Sequence, residues 1–207
     1  MKLTHVALLV AALWIVTEAR VAEPAPAQGA CVAAKAPAPG AGGYSVAKRF
    51  AVGGEGGWDY LSIDPSAHRL YYGRSTRVQV LDTETGKVVG EIPDTQGIHG
   101  VAFVPELGRA FTSNGRDSSV TVFDVKTLAT VTKIHIAARF PDAILYEPVS
   151  KRIFTLNGGS DDATANDPAS NQAIGNLKLG GRPEFAVADG RGMVYVNLED
   201  SSAVVSF

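Results

Sequence analysis

The sequence predicts an all-β chain, a β-propeller of four-stranded antiparallel blades that is incomplete. Three observations carry that prediction. Gly (22) and Pro (11) are frequent, charged residues are few at 19%, and Val, Thr and aromatic residues fall in short runs between turn residues; this is strand composition. Four stretches align: "WDYLSIDPSAHRLYYGRS" from Trp58, "IHGVAFVPELGRAFTSNG" from Ile98, "PDAILYEPVSKRIFTLNG" from Pro141 and "PEFAVADGRGMVYVNLED" from Pro183. Their turn residues Pro65, Pro105, Pro148 and Gly190 stand 40, 43 and 42 apart, and downstream Asp82 and Asp124 are separated by 42. A period near 42 marks one blade per repeat.

The second copy gives the elements in order. Strand a is "GVAFV", a Pro turn follows, strand b is "RAFTS", an Asn-Gly turn follows, strand c is "SVTVFD", and after "VKTLA" strand d is "TVTKIHI". Both faces of a blade pack on neighbouring blades, so strands are expected to be apolar on both sides, as Val101 and Phe103 or Ile144 and Tyr146 suggest for strand a. The repeats run over about 52–92, 93–134, 135–177 and 178–207, within a propeller region 44–207. In the third copy "ATANDPASNQAIGNL" stands where strand c belongs, with Asn166 in the place of Phe123, and a weakened strand is expected there.

Upstream, Lys2 precedes an apolar run from Val6 to Val16, too short to span a bilayer and suited to a secretory signal over residues 1–19. Residues 20–43 are rich in Ala, Pro and Gly and read as a tether. The expectation is a periplasmic or extracellular protein with no membrane span. The single cysteine, Cys31, excludes an intramolecular disulfide. In "QGAC" the position three before it is Gln28 rather than a Leu-like residue, which argues against lipoprotein anchoring. Net charge is −2 and the longest basic run is Lys48-Arg49, so no nucleic-acid partner is expected.

The phrases "SSVTVFDVKTLATVTKI", "PEFAVADGRGMVYVNLED" and "PDAILYEPVSKRIFTLNG" resemble the YVTN β-propeller repeat family (YncE-like), exported bacterial propellers, over about residues 50–207. The resemblance implies a ring of about seven blades, roughly 300 residues, of which this chain supplies about 3.5. The expectation is a truncated member or one part of a split propeller, with uncovered strand edges and self-association or a missing half. A WD-repeat reading is weaker: His99 and Val122–Asp124 mimic its His and terminal Asp, but no copy has Trp before that Asp.

Six residues before each turn Pro or Gly lies a polar group: Asp59, His99, Asp142 and Glu184. Leading into strand a, the innermost strand, these are the candidate ligand-binding residues at the channel mouth. Carboxylate and imidazole together suit a divalent metal, although lining a wet channel is the simpler role, and no cofactor is predicted. The b–c turns on the same face add Arg74, Asn114, Arg116 and Asn157 as loop-face candidates, with ordinary turn duty as their plain alternative. There is no G-x-S-x-G, no H-E-x-x-H, no phosphate loop and no Cys pair. The reading is therefore a binding or scaffold propeller presenting its loop face to a protein or small ligand, without catalysis. The alternative is a propeller enzyme or cofactor- or metal-binding domain, lactonase-like, quinoprotein-like or like a nitrite-reductase haem domain.

Overall fold

The structure, a computed structural model, describes residues 43–207; the segment read as a signal, Cys31 and all of the expected tether but Gly43 lie outside the described residues. Fifteen strands form four antiparallel sheets in sequence order. Blade 1 holds β1 (Leu61–Asp64), β2 (Arg69–Arg74), β3 (Arg77–Asp82) and β4 (Val88–Ile92). Blade 2 holds β5 (Ile98–Val104), β6 (Arg109–Asn114), β7 (Ser119–Asp124) and β8 (Thr130–His135). Blade 3 holds β9 (Pro141–Glu147), β10 (Arg152–Asn157), β11 (Asp162–Asp167) and β12 (Gln172–Lys178), and blade 4 holds β13 (Pro183–Ala188), β14 (Val194–Leu198) and β15 (Ala203–Ser206). The fold is a β-propeller arc, unclosed over the described residues.

The repeated turn residues have local causes. Asp82 Oδ1 accepts the backbone N–H of Thr85 at 2.7 Å and its hydroxyl at 2.7 Å, and Asp124 Oδ1 does the same for Thr127 at 2.7 and 2.9 Å. The aligned aspartates are thus side-chain caps of the c–d turns. These bonds, from the Thr85 hydroxyl first at Asp82 and the Thr127 backbone N–H first at Asp124, hold both carboxyls below the usual carboxylate range. In blade 2 the Pro turn is one turn of 3₁₀ helix, Pro105–Leu107, ended by Gly108 at φ 60, where only glycine sits without strain.

The core lies between blades rather than within one. Tyr71, Val80 and Ile92 meet Ala110 and Phe123 at the first junction. Val104, Phe111 and Val122 meet Ile153 at the second, and Leu156 and Ala163 meet Val194 and Val196 at the third. Burying apolar side chains on both faces of the central blades is the main stabilising term. Polar bonds fix the junctions: Ser62 Oγ donates to Val101 O at 2.7 Å, and Ser113 Oγ donates to Asp142 O. The outer faces of blades 1 and 4 stay apolar and exposed at Leu61, Ile63, Phe185, Val187 and Val204.

Strand c of the third repeat corrects the sequence expectation. β11 pairs along its length with β10 and β12, and Asn166 is buried rather than disruptive. Its Nδ2 donates to Thr164 O at 3.3 Å and Ile153 O at 3.5 Å, so main-chain carbonyls replace the packing that Phe123 supplies one blade earlier. The outermost strand of that blade, β12, is exposed throughout.

Candidate functional site

In blades 2, 3 and 4 the b–c turn is stitched to the segment that leads into the innermost strand of its own blade. Gly115 N donates to Gly97 O at 2.8 Å, Gly158 N to Phe140 O at 3.0 Å, and Glu199 N to Arg182 O at 3.0 Å. Immediately beyond those points the inner strands bulge. Ile98 pairs with Asn114 and Val101 with Thr112, so His99 and Gly100 share the space opposite Ser113. Asp142 and Ala143 do so opposite Leu156, and Glu184 is the extra residue between the pairs Pro183–Leu198 and Phe185–Asn197. A bulge re-aims a side chain out of the ladder, and three of the four channel-mouth candidates occupy one. The fourth, Asp59, lies just before β1.

The arrangement brings the candidates together. His99 Nδ1 is 2.8 Å from Asp59 Oδ2 and 3.4 Å from Asp142 Oδ1, so the imidazole bridges carboxylates from the blades on either side of its own. Facing two carboxylates, Nδ1 carries the hydrogen. Glu184 is held separately, accepting the Tyr60 hydroxyl at 3.5 Å, while the Tyr60 ring lies 5.9 Å from that of Phe185. Asp142 is 8% exposed. Its carboxyl is pushed above the ordinary carboxylate value by burial, with His99 opposing and Glu184 and Asp59 adding to the rise. Tyr60 is pushed up to about 12, first by burial and then by Asp142, Glu184 and Asp59. Among the described residues, no group of three His, Cys, Asp or Glu side chains is placed to hold a metal ion.

Of the loop-face candidates, only Arg116 is exposed. Asn114 and Asn157 are wholly buried and correct the reading of them as ligand or turn residues. Asn114 Nδ2 donates to Ser119 Oγ at 3.0 Å and Thr121 Oγ1 at 2.9 Å; Asn157 Nδ2 donates to Asp162 Oδ1 at 2.8 Å and Thr164 Oγ1 at 2.9 Å. Both tie strand b to strand c. Nor do the Asn-Gly pairs supply positive φ, which falls at Ser118 (51) and Asp161 (56), four residues after each Asn.

Arg74 is the larger correction. It is 0% exposed, its guanidinium 4.0 Å from the centre of the Trp58 ring, with Nη1 donating to Gly53 O at 2.9 Å and Gln79 Oε1 at 3.3 Å. Its Nε and Nη2 have no hydrogen-bond partner among the described residues. The loop Gly53–Gly57 folds over it, pinned by Gly57 N donating to Ser75 Oγ at 2.7 Å. Trp58 also stacks on Tyr72, ring centres 5.2 Å apart and 12° from parallel. Tyr72 and Arg74, two apart on β2, therefore form the platform beneath Trp58.

Sequence reasoning missed the cavity these residues frame. A depression of about 450 Å³ on the loop face is lined by Trp58, Asp59, Ser75, His99, Arg116 and Phe140, among others. Trp58 is 56% and Phe140 40% exposed, large apolar surfaces in a polar surround. Phe140 holds φ at 53, a strained conformation for an aromatic residue, and packs edge-on against His99 at 5.1 Å. Gly115 lets His99 lie close: a Cβ there would sit 2.8 Å from His99 Nε2 and 3.3 Å from Phe140. His99 Nε2 takes no hydrogen bond among the described residues. The sequence signal for both aromatics is adjacency, Trp58 beside Asp59 and Phe140 two before Asp142.

No protein-family profile matches the chain, and no curated protein matches it. Solved structures do. Hydrazine synthase of Kuenenia stuttgartiensis superposes with a TM-score of 0.68 at 16% identity, over 76% of this chain and 47% of that one. The WD40 β-propeller domain of Doa1 gives 0.62 at 12% identity, over 72% and 50%. This chain spans about half the length of each. At such identities the likeness establishes the architecture and nothing of the chemistry: what this chain shares with both is the β-propeller fold.

Proposed function

We propose that this chain is a propeller binding module whose loop face takes a small organic ligand in the cavity between Trp58 and Phe140. The observation that carries the reading is the cavity itself: about 450 Å³, with two exposed aromatic walls and the partnerless His99 Nε2 on its lining. That volume lies in the small-ligand range of ~300–1,000 Å³. A small ligand suits such a depression better than a flat protein epitope. The test is a thermal-shift screen of small organic compounds on the full chain and on Trp58→Ala. Compounds that raise the melting temperature of both proteins equally would remove the cavity from consideration.

The Asp59–His99 pair favours a second reading, an enzyme, because a carboxylate that orients an imidazole through Nδ1 leaves Nε2 as a base. No nucleophile or metal-ligand motif accompanies it, and binding stays the preferred function. Turnover of any cavity ligand by the wild type and not by His99→Gln would reverse that order.

Membership of the YVTN repeat family and export belong to the same proposal, supported by the repeated phrases and by the run from Val6 to Val16 after Lys2. N-terminal sequencing of protein recovered from the cell envelope tests export. Among the described residues no helix is long and apolar enough to cross a membrane. Further blades or a second copy would cover the exposed faces of blades 1 and 4, which light scattering of the purified chain tests.

A further inference from the structure

The charges around the cavity are not equivalent, and their pairing identifies the ligand class. Asp59, the carboxylate on the lining, has both oxygens engaged: Oδ1 accepts Tyr60 N at 2.8 Å and Oδ2 accepts His99 Nδ1 at 2.8 Å. Asp142 and Glu184 do not line the cavity; they face His99 Nδ1 and the Tyr60 hydroxyl respectively. Asp59 is thus the one carboxylate on the lining, and both its oxygens are occupied.

The cations are placed differently. Arg116 lines the cavity, and among the described residues its guanidinium has neither an ion pair nor a hydrogen bond. Its backbone is fixed, with N donating to Gln96 O at 3.1 Å, and Gly97, at φ 66, approaches so closely that a Cβ would lie 2.8 Å from Arg116 N. Behind the Trp58 wall lies Arg74, wholly buried, with no ion pair and two donors unpartnered among the described residues. A buried guanidinium without an acid leaves a positive potential that its surroundings do not cancel. Beside these cations stand two apolar surfaces held by their neighbours, Trp58 by Tyr72 and Arg74 and Phe140 by His99. Preorganised aromatic walls favour a flat apolar body.

We infer that the cavity takes a planar organic anion, an aromatic carboxylate in the simplest case, its charged group on Arg116 and its ring against Trp58 and Phe140. This rests on the reading of the cavity as a ligand site. Ligand-observed NMR titration of the full chain with benzoate, benzamide and benzylamine at low salt tests it, with circular dichroism to verify folding of each variant. Benzoate is expected to bind about tenfold more tightly than the other two, and Arg116→Gln to abolish that preference, as loss of one charge-assisted hydrogen bond requires. Equal binding of the three, preference for benzylamine, no saturable binding of benzoate, or an unchanged preference in Arg116→Gln would each overturn the inference. None of these results touches the cavity reading, which stands or falls separately on whether thermal-shift ligands lose their effect in Trp58→Ala.

Discussion

His99 Nδ1 lies 2.8 Å from Asp59 Oδ2, so residues 40 apart in sequence join the inner edges of two blades through one charge-assisted hydrogen bond. The same nitrogen reaches Asp142 in the third blade. A single imidazole thereby couples three of the four blades, and its contribution is open to measurement. In a double-mutant cycle of Asp59→Asn and His99→Gln, the coupling is expected to be about 1 kcal/mol or more by urea unfolding. Additive single-variant losses would show that the contact contributes nothing.

The burial of Asp142 has a pH signature. Its carboxyl titrates above the ordinary value, so the native state holds a proton that the unfolded chain has already released. Stability from this group therefore falls as pH rises through that interval. Asp142→Asn is expected to be more favourable, relative to wild type, at pH 7 than at pH 4, compared by melting temperature. The opposite ordering would contradict the desolvation argument.

Tyr60 makes a second titration prediction at the alkaline end. With its hydroxyl pushed up to about 12, first by burial, the folded protein keeps a proton that an unfolded tyrosine loses near 10, and stability from this group declines over that range. Glu184→Gln removes part of the cause. The Tyr60 transition in an ultraviolet titration is expected to move toward 10 without reaching it. An unmoved transition would place Glu184 out of effective range.

Two adjacent letters of the repeated phrase should behave differently. Asn114→Ala removes the donor to Thr121 Oγ1 and the acceptor of the Thr112 hydroxyl, both buried, and is expected to cost about 1–3 kcal/mol, with ligand binding per folded molecule unchanged. Gly115→Ala places a Cβ 2.8 Å from His99 Nε2. It is expected to displace the ring and impair cavity binding while altering stability less than Asn114→Ala. Equal effects of the two variants on both readouts would refute the division of labour.

Much of the fold was legible because its signals are local. A carboxylate at the end of strand c caps the turn three residues on, so Asp82 and Asp124 appear in the sequence at the blade period. That Asp59, His99 and Asp142 meet was legible because the period places them at one height at the start of successive inner strands. Arg74 was not, since its burial depends on a loop twenty residues upstream folding back over β2. Asn166 misled because a polar residue inside a strand reads as disruption unless the carbonyls it reaches, Thr164 and Ile153, are seen. The cavity was invisible for a related reason: Trp58 precedes β1, His99 lies in β5 and Phe140 precedes β9, three different blades, and no local pattern encodes their meeting.

The inner-strand bulges bear on how such a protein changes. At His99, Asp142 and Glu184 the ladder steps around the residue, so its side chain answers to groups of other blades rather than to a cross-strand partner. A chain built this way can exchange the group at the channel mouth, one blade at a time, while the strands outside it keep their pairing. The inner-edge groups and the architecture then drift on separate clocks, with the first set by one position per blade and the second by the turns and inter-blade packing around it.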